Sequence, residues 1–131
     1  MKGILMYHPT GCAPPILGFM DSLDKKLREK LLVQMVRLSS ISRTELKEPH
    51  FKHFSIEKYR SLYELREKSK VLVRVIFTFT PDGSVLLLHD FIKRQGRDTM
   101  RALEQSLQIL AQIREHPDCA VEFKIKEEEP K

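Results

Sequence analysis

Basic side chains recur at the centre of the chain, inside or just after runs of residues that favour β-strands. They are Arg66, Arg74, Lys93, Arg94 and Arg97. An arginine within a strand is costly unless it faces water or a ligand. Its planar guanidinium donates a fork of hydrogen bonds that fits phosphate oxygens. These residues therefore indicate a surface that binds phosphate groups.

A surface of this kind also suits the cleavage of RNA without a metal. RNA carries its own nucleophile, the 2′-hydroxyl beside the scissile phosphate. An enzyme then needs only to hold the backbone in line and to stabilise the charge of the phosphorane. The same spacing is equally compatible with surface residues that form ion pairs with Glu64, Glu67 and Asp90. Spacing alone leaves both interpretations open.

The elements that must position these residues form a predicted antiparallel sheet. Apolar runs at residues 71–79 and 85–88 flank the turn Thr-Pro-Asp-Gly-Ser, and residues 62–67 supply a third strand. Alternation within residues 71–80 predicts that one set of side chains packs on helices, while Arg74 and the threonines face outward. The run at residues 85–88 does not alternate, which predicts a central strand covered on both faces.

Three helices are predicted around this sheet: residues 16–23, a helix from an N-cap at Asp24 to about residue 40, and residues 99–116 after N-cap chemistry from Asp98 and Thr99. Their predicted buried stripes are Leu27, Leu31, Leu32, Met35, Val36 and Leu38 in the second helix, and Met100, Leu103, Leu107 and Leu110 in the third.

The remaining segments have weaker patterns. An edge strand is predicted at residues 2–8 and a short extra strand at residues 121–125. Residues 50–54 indicate an irregular approach to the sheet, residues 55–60 a helical turn, and residues 126–131 a frayed tail.

The size and composition of the chain favour one reduced, soluble domain. A chain of 131 residues can bury enough surface to fold without a disulfide or a metal. Cys12 and Cys119 match no zinc or redox spacing, which is typical of free thiols in the cytosol. Apolar runs are too short for a bilayer span or a signal peptide, so a cytoplasmic location is expected.

The net charge of +5 is concentrated in one part of the chain. Residues 50–97 hold ten Lys or Arg against five Asp or Glu, and the remainder of the sequence is balanced. This distribution is expected of a surface that binds a polyanion. An ordinary basic surface that resists aggregation would carry the same charge, and the charge alone does not decide between them.

Metal and nucleophilic chemistry have little support in the sequence. Of the five histidines only His50 and His53 are close together, and no carboxylate pattern completes a metal site with them. The two cysteines have no recognisable catalytic partner. The turn at Gly83 does not have the spacing of a phosphate loop. No metal and no cofactor are therefore predicted.

Three strand motifs resemble a known group of proteins. They are Leu-Tyr-Glu-Leu-Arg at residues 62–66, Val-Arg-Val-Ile-Phe at residues 73–77, and Leu-Leu-His-Asp-Phe-Ile-Lys-Arg at residues 87–94. The combination is similar to the RelE/ParE superfamily of toxins from type II toxin–antitoxin systems, and within it to the phage-derived, HigB-like branch. The similarity extends over about residues 16–115. The sequence differs in having a Lys-Arg pair before the last helix, an inserted stretch at residues 55–60 and an acidic tail.

The resemblance implies a single RelE-like α/β domain of the α+β type, with two N-terminal helices on a twisted antiparallel sheet and a C-terminal helix beside it. It implies metal-independent cleavage of mRNA on the ribosome and neutralisation by a cognate antitoxin, expected to be a helix-turn-helix protein. The catalytic residues would be Arg66, Arg74, Lys93 and Arg94. Contacts to RNA are assigned to Lys52, Lys68, Lys70 and Arg97, and candidate proton-transfer groups are His89, His53 and Glu64.

Two other functions fit the same fold. A non-enzymatic inhibitor of the ParE type would act on DNA gyrase, although basic residues in the sheet favour RNA. An inactive protein that only binds RNA or another protein would cause no growth arrest.

Overall fold

A computed structural model describes residues 3–40 and 50–124. Its helices are α1 (Pro15–Ser22), α2 (Lys25–Leu38) and α3 (Gly96–Glu115), and its strands are β1 (Ile4–Tyr7), β2 (Phe51–His53), β3 (Tyr63–Lys68), β4 (Leu72–Phe79), β5 (Val85–Lys93) and β6 (Ala120–Glu122). Short 3₁₀ turns lie at Glu57–Tyr59 and Pro117–Cys119. This is the mixed α/β architecture that the sequence predicts. Within the described ranges, no helix combines the length and the apolar character that a membrane span requires.

The six strands form one sheet in the order β2-β3-β4-β5-β1-β6. Every neighbouring pair is antiparallel except β1 and β5, which are parallel, so the sheet is mixed rather than wholly antiparallel as predicted. The prediction of an edge strand at residues 2–8 is wrong. β1 lies between β5 and β6, where Ile4 and Met6 are buried, and the short β6 forms that edge.

The helices α1 and α2 cover one face of the sheet. Asp24 caps α2 as predicted, because its Oδ1 accepts a hydrogen bond of 2.9 Å from the backbone N–H of Leu27. The predicted stripe of α2 is largely confirmed, since Leu27, Leu31, Met35 and Leu38 are buried against the sheet. Val36 is an exception and faces solvent, with 47% of its surface exposed.

The opposite face of the sheet is covered by α3. Gln95 is its N-cap, and the carboxylate of Asp98 accepts a hydrogen bond of 2.9 Å from the backbone N–H of Gln95. The helix therefore begins three residues earlier than predicted, because Asp98 occupies the third position of a capping box instead of the cap. Its buried residues are Ala102, Leu103, Ser106, Ile109, Leu110 and Ile113. Met100 lies outside that stripe and is exposed, contrary to the prediction.

The hairpin of β4 and β5 is confirmed, and β5 is a central strand as predicted. Gly83 adopts a positive φ of 87° in the turn, a conformation that residues with a Cβ rarely adopt. The pairing register shifts once: Phe77 lies opposite Leu87, but Ile76 lies opposite His89. Leu88 is thus an extra residue in β5, and the side chains after it change faces.

The approach to the sheet is more regular than the sequence indicates. Residues 51–53 form β2, which pairs with β3, whereas an irregular segment was predicted. The predicted helical turn at residues 55–60 is confirmed as the 3₁₀ turn. The predicted strand at residues 121–125 is observed as Ala120–Glu122, and the predicted tail at residues 126–131 lies outside the described residues.

Candidate phosphate-binding site

The two strand arginines lie side by side on the face of the sheet that α3 covers only in part. Arg66 of β3 is the direct cross-strand partner of Arg74 of β4, and Arg74 is in turn opposite Phe91 of β5. These three residues form one row across the sheet. Because directly opposed side chains project from the same face, the two guanidinium groups converge on one region.

Glu64 lies in the neighbouring row and binds both arginines. Its Oε1 accepts a hydrogen bond of 2.9 Å from Nε of Arg66 and lies 3.7 Å from Nε of Arg74. Glu64 is 1% exposed, so this is a buried carboxylate shared by two cations. The alternative interpretation of the sequence, in which the arginines pair with acidic residues, is therefore correct for Glu64. Glu64 is thus a buried carboxylate that lies near the guanidinium groups of both arginines.

Arg74 is the more enclosed of the two arginines. Its side chain is 10% exposed, against 22% for Arg66, so the prediction that it faces outward is wrong in part. Its Nη1 donates a hydrogen bond of 3.0 Å to the carbonyl oxygen of Val73. Burial lowers the pKa of Arg74, and the nearby Glu64 opposes that effect. The guanidinium is thus held in one place and largely stripped of water.

A cleft of about 390 Å³ opens beside the arginines. The residues that line it are His50, Arg66, Glu67, Lys68 and Arg74. Three of these five are cations. Nδ1 of His50 lies 3.8 Å from a carboxylate oxygen of Glu67, so that acidic residue has a partner of its own. The cleft is of a size that admits a small ligand and has the charge to attract an anion.

The remaining basic residues of the prediction lie on several elements, and Lys68 is among those that line this cleft. Lys68 and Lys93 both oppose Leu72, so they extend the positive face by one further row. Lys52 is opposite Glu64 on the exposed strand β2. Lys70 lies in the turn between β3 and β4. Arg94 and Arg97 are exposed where β5 passes into α3 and are not drawn into the same row.

The candidate proton-transfer groups are divided between the two faces. His89 is opposite Ile76, on the face that carries Arg74, and burial lowers its pKa. His53 is opposite Tyr63, which packs on the α1–α2 side, so it projects from the other face. Its ring stacks on Tyr63 with centroids 4.4 Å apart, and its Nε2 lies 2.6 Å from the carbonyl oxygen of Arg60. His53 is therefore not brought together with the arginines.

Asp90 lies on the same face as His53 and is not a partner of any arginine in the described part of the chain. It is opposite Val75, between Phe91 and His89, which project the other way. Burial raises the pKa of Asp90 to about 7. No three His, Cys, Asp or Glu side chains come together as possible metal ligands within residues 3–40 and 50–124.

Sequence reasoning missed two residues near the site, Phe91 and Arg101. Phe91 completes the row of Arg66 and Arg74, and Arg101 approaches the end of β5 from α3. Strict alternation from Val85 would place Phe91 on the face opposite to that of Arg74, but the two residues share one face. The run at residues 85–88 does not alternate, and this is the sequence signal that could have indicated the change.

The sandwiched sheet with two adjacent strand arginines defines a small α/β protein with a cationic cleft on one face. The family described as Phage derived protein Gp49-like (DUF891) matches residues 18–114 of the chain. Because the match covers most of the sequence, the chain belongs to this family. The family as a whole consists of RelE/HigB-like toxins. A search of curated proteins found no match.

Proposed function

We propose that the protein is the toxin of a type II toxin–antitoxin system and that it cleaves mRNA on the ribosome without a metal. Membership of the phage-derived family supports the first part of this proposal. The pairing of Arg66 with Arg74 on one face, beside an open cationic cleft, supports the second. Assignment to the HigB-like branch rests on the resemblance of the strand motifs.

In this proposal the two arginines bind the scissile phosphate. Nη1 of Arg74 donates a hydrogen bond to the carbonyl oxygen of Val73 and the carboxylate of Glu64 lies nearby, so its guanidinium is already oriented when RNA arrives. A preorganised cation in a partly dry site stabilises the charge that develops on the phosphorane more strongly than a mobile cation in water. Arg66 contributes a second guanidinium to the same face, with 22% of its side chain exposed.

The other basic residues have supporting roles. Lys93 lies one row beyond the arginines and could donate a proton to the leaving oxygen, while Arg94 adds charge from the end of β5. Contacts to the RNA backbone or the ribosome are proposed for Lys52, Lys68, Lys70 and Arg97, of which Lys68 lines the cleft beside the arginines. Such contacts contribute affinity that falls with salt concentration and carries no sequence information.

His89 and Glu64 remain candidates for proton transfer. The lowered pKa of His89 keeps its imidazole neutral near pH 7, the form that can accept a proton. Glu64 is better placed to orient the arginines, because Oε1 is directed at both of them.

The proposed function also implies the partners of the protein. They are mRNA, the ribosome and a cognate antitoxin of the helix-turn-helix type.

A cell-free translation assay with a reporter mRNA tests the proposal, with cleavage sites mapped by primer extension. Arg74→Ala should reduce the cleavage rate by roughly a hundredfold or more, the size seen when a preorganised donor is removed from an active site. Arg74→Lys should recover little, since an ammonium lacks the planar fork. The matched control is Arg114→Ala, an exposed arginine in the last turn of α3.

Three results would contradict the proposal. Cleavage by Arg74→Ala at the normal rate would remove the role given to that residue. Intact mRNA together with double-strand breaks in DNA would favour a ParE-type inhibitor of gyrase. Expression of the wild-type protein without growth arrest, mRNA cleavage or DNA damage would favour an inactive binding protein.

A further inference from the structure

We propose that the cleft between the end of β5 and the first turns of α3 binds a nucleobase of the RNA, adjacent to the phosphate held by Arg66 and Arg74. The inference rests on the proposed function, because it takes the position of that phosphate as its starting point. The cleft has a volume of about 350 Å³. The residues that line it include His89, Phe91, Arg94, Asp98, Arg101 and Gln105.

Phe91 connects this cleft to the arginines. It is the direct cross-strand partner of Arg74, and directly opposed Cβ atoms lie about 4.5–5.5 Å apart. A nucleotide whose phosphate rests on Arg74 therefore has the ring of Phe91 within reach of its base. Aromatic rings beside a cationic groove are the arrangement by which proteins bind single-stranded nucleic acid.

His89 extends the aromatic surface. Its ring is nearly parallel to that of Phe91, with an interplanar angle of 16° and centroids 6.3 Å apart. Burial lowers the pKa of His89, so it presents a neutral ring near pH 7. The two nearly parallel rings thus supply aromatic groups to the cleft and no additional positive charge.

The opposite wall of the cleft carries both hydrogen-bond acceptors and hydrogen-bond donors. The carboxylate of Asp98 accepts hydrogen bonds from the backbone N–H groups of Arg94 and Gln95, at 2.8 and 2.9 Å. These hydrogen bonds lower the pKa of Asp98, so a negative charge stays at the start of α3. Arg101 and the amide of Gln105 line the same cleft, and both can donate hydrogen bonds to the edge of a base.

The test uses a short oligoribonucleotide that carries one 2-aminopurine, whose fluorescence falls when it stacks on an aromatic ring. The wild-type protein should quench the label at one position of the oligonucleotide. Phe91→Leu should weaken binding by about tenfold and abolish the quenching, since stacking contributes most of that amount per base. Phe91→Tyr keeps the ring and should behave as the wild type does.

The salt dependence separates this inference from the proposed function. Arg74→Ala should lower the slope of log K against log[salt] by about one, because one phosphate contact is lost, yet retain quenching at saturation. Phe91→Leu should leave that slope unchanged. If the protein proves unable to cleave mRNA but shows this pattern, base binding stands and the enzymatic proposal fails. Equal affinity and quenching in Phe91→Leu would overturn the inference, as would a wild-type protein that quenches no labelled position or does not bind the oligonucleotide.

Discussion

Glu64 should be essential for the stability of the protein, because it compensates two cations that have little access to water. Its Oε1 lies 2.9 Å from Nε of Arg66 and 3.7 Å from Nε of Arg74. Glu64→Ala would remove that compensation from both. Arg66 is 22% exposed and can turn toward solvent, whereas Arg74 is 10% exposed and is held by the carbonyl oxygen of Val73.

The magnitude follows from the burial of Arg74. Breaking a buried ion pair by removal of one partner costs about 3–5 kcal/mol, since the remaining charge is left uncompensated. The partial exposure of both arginines places the expected loss near the lower end of that range, at about 3 kcal/mol. For a protein of this length the melting temperature should fall by about 10 °C.

Urea denaturation followed by circular dichroism measures this loss. Glu64→Gln should be intermediate, because its carbonyl oxygen can still accept a hydrogen bond from Arg66. Glu104→Ala is the matched control, since Glu104 also contacts two groups, Lys58 and Tyr59, but in an exposed position; its effect should be much smaller.

A double variant tests the stated cause. Glu64→Ala combined with Arg74→Leu removes the buried cation as well as its counter-charge, so it should be more stable than Glu64→Ala alone. The reasoning is refuted if Glu64→Ala costs less than about 1 kcal/mol, or if the double variant is the less stable of the two.

Three further outcomes are expected. Burial raises the pKa of Asp90 to about 7, so the folded state holds its proton more tightly than the unfolded state; stability should therefore fall as the pH rises from about 4 to 7. Asp90→Asn should flatten that part of the curve in denaturation experiments from pH 4 to 8, and an unchanged slope would contradict the assignment. Asp24→Ala should cost about 1 kcal/mol in urea, because the Leu27 N–H loses its acceptor; Ser22→Ala, which removes no cap of α2, is the control. Leu103→Ala should cost about 2–5 kcal/mol, since Leu103 is 1% exposed under the sheet, whereas Met100→Ala in the same helix should have little effect.

Most of the fold could be predicted because its elements carry local signals. The hairpin turn, the Asp24 cap and the stripe of α2 each depend on residues close together in sequence, and all three are observed. The errors concern pairing over long distances. The central position of β1 depends on β5 and β6, which lie far along the chain, and no local pattern records a parallel partner.

The candidate site was predictable in part, because its two arginines lie close together in sequence. Arg66 and Arg74 lie on strands that follow one another, so a short antiparallel connection brings them together. Burial could not be predicted from alternation alone. Arg74 is enclosed because Glu64 supplies a buried counter-charge, and that pairing depends on rotamers that a sequence does not specify. The face from which His53 projects is set by the pairing of β2 with β3, which no local pattern at residues 50–54 indicates.

The bulge at Leu88 decides which side chains accompany the arginines. Val85 and Leu87 project toward α1 and α2, and unbroken alternation would send His89 and Phe91 to that same face. The extra residue reverses the phase, so His89 and Phe91 instead lie opposite Ile76 and Arg74. The same shift directs Asp90 into the apolar layer beneath α1, where burial raises its pKa. One inserted residue thus accounts both for the aromatic residues beside the row of arginines and for the buried carboxyl group whose pKa is raised.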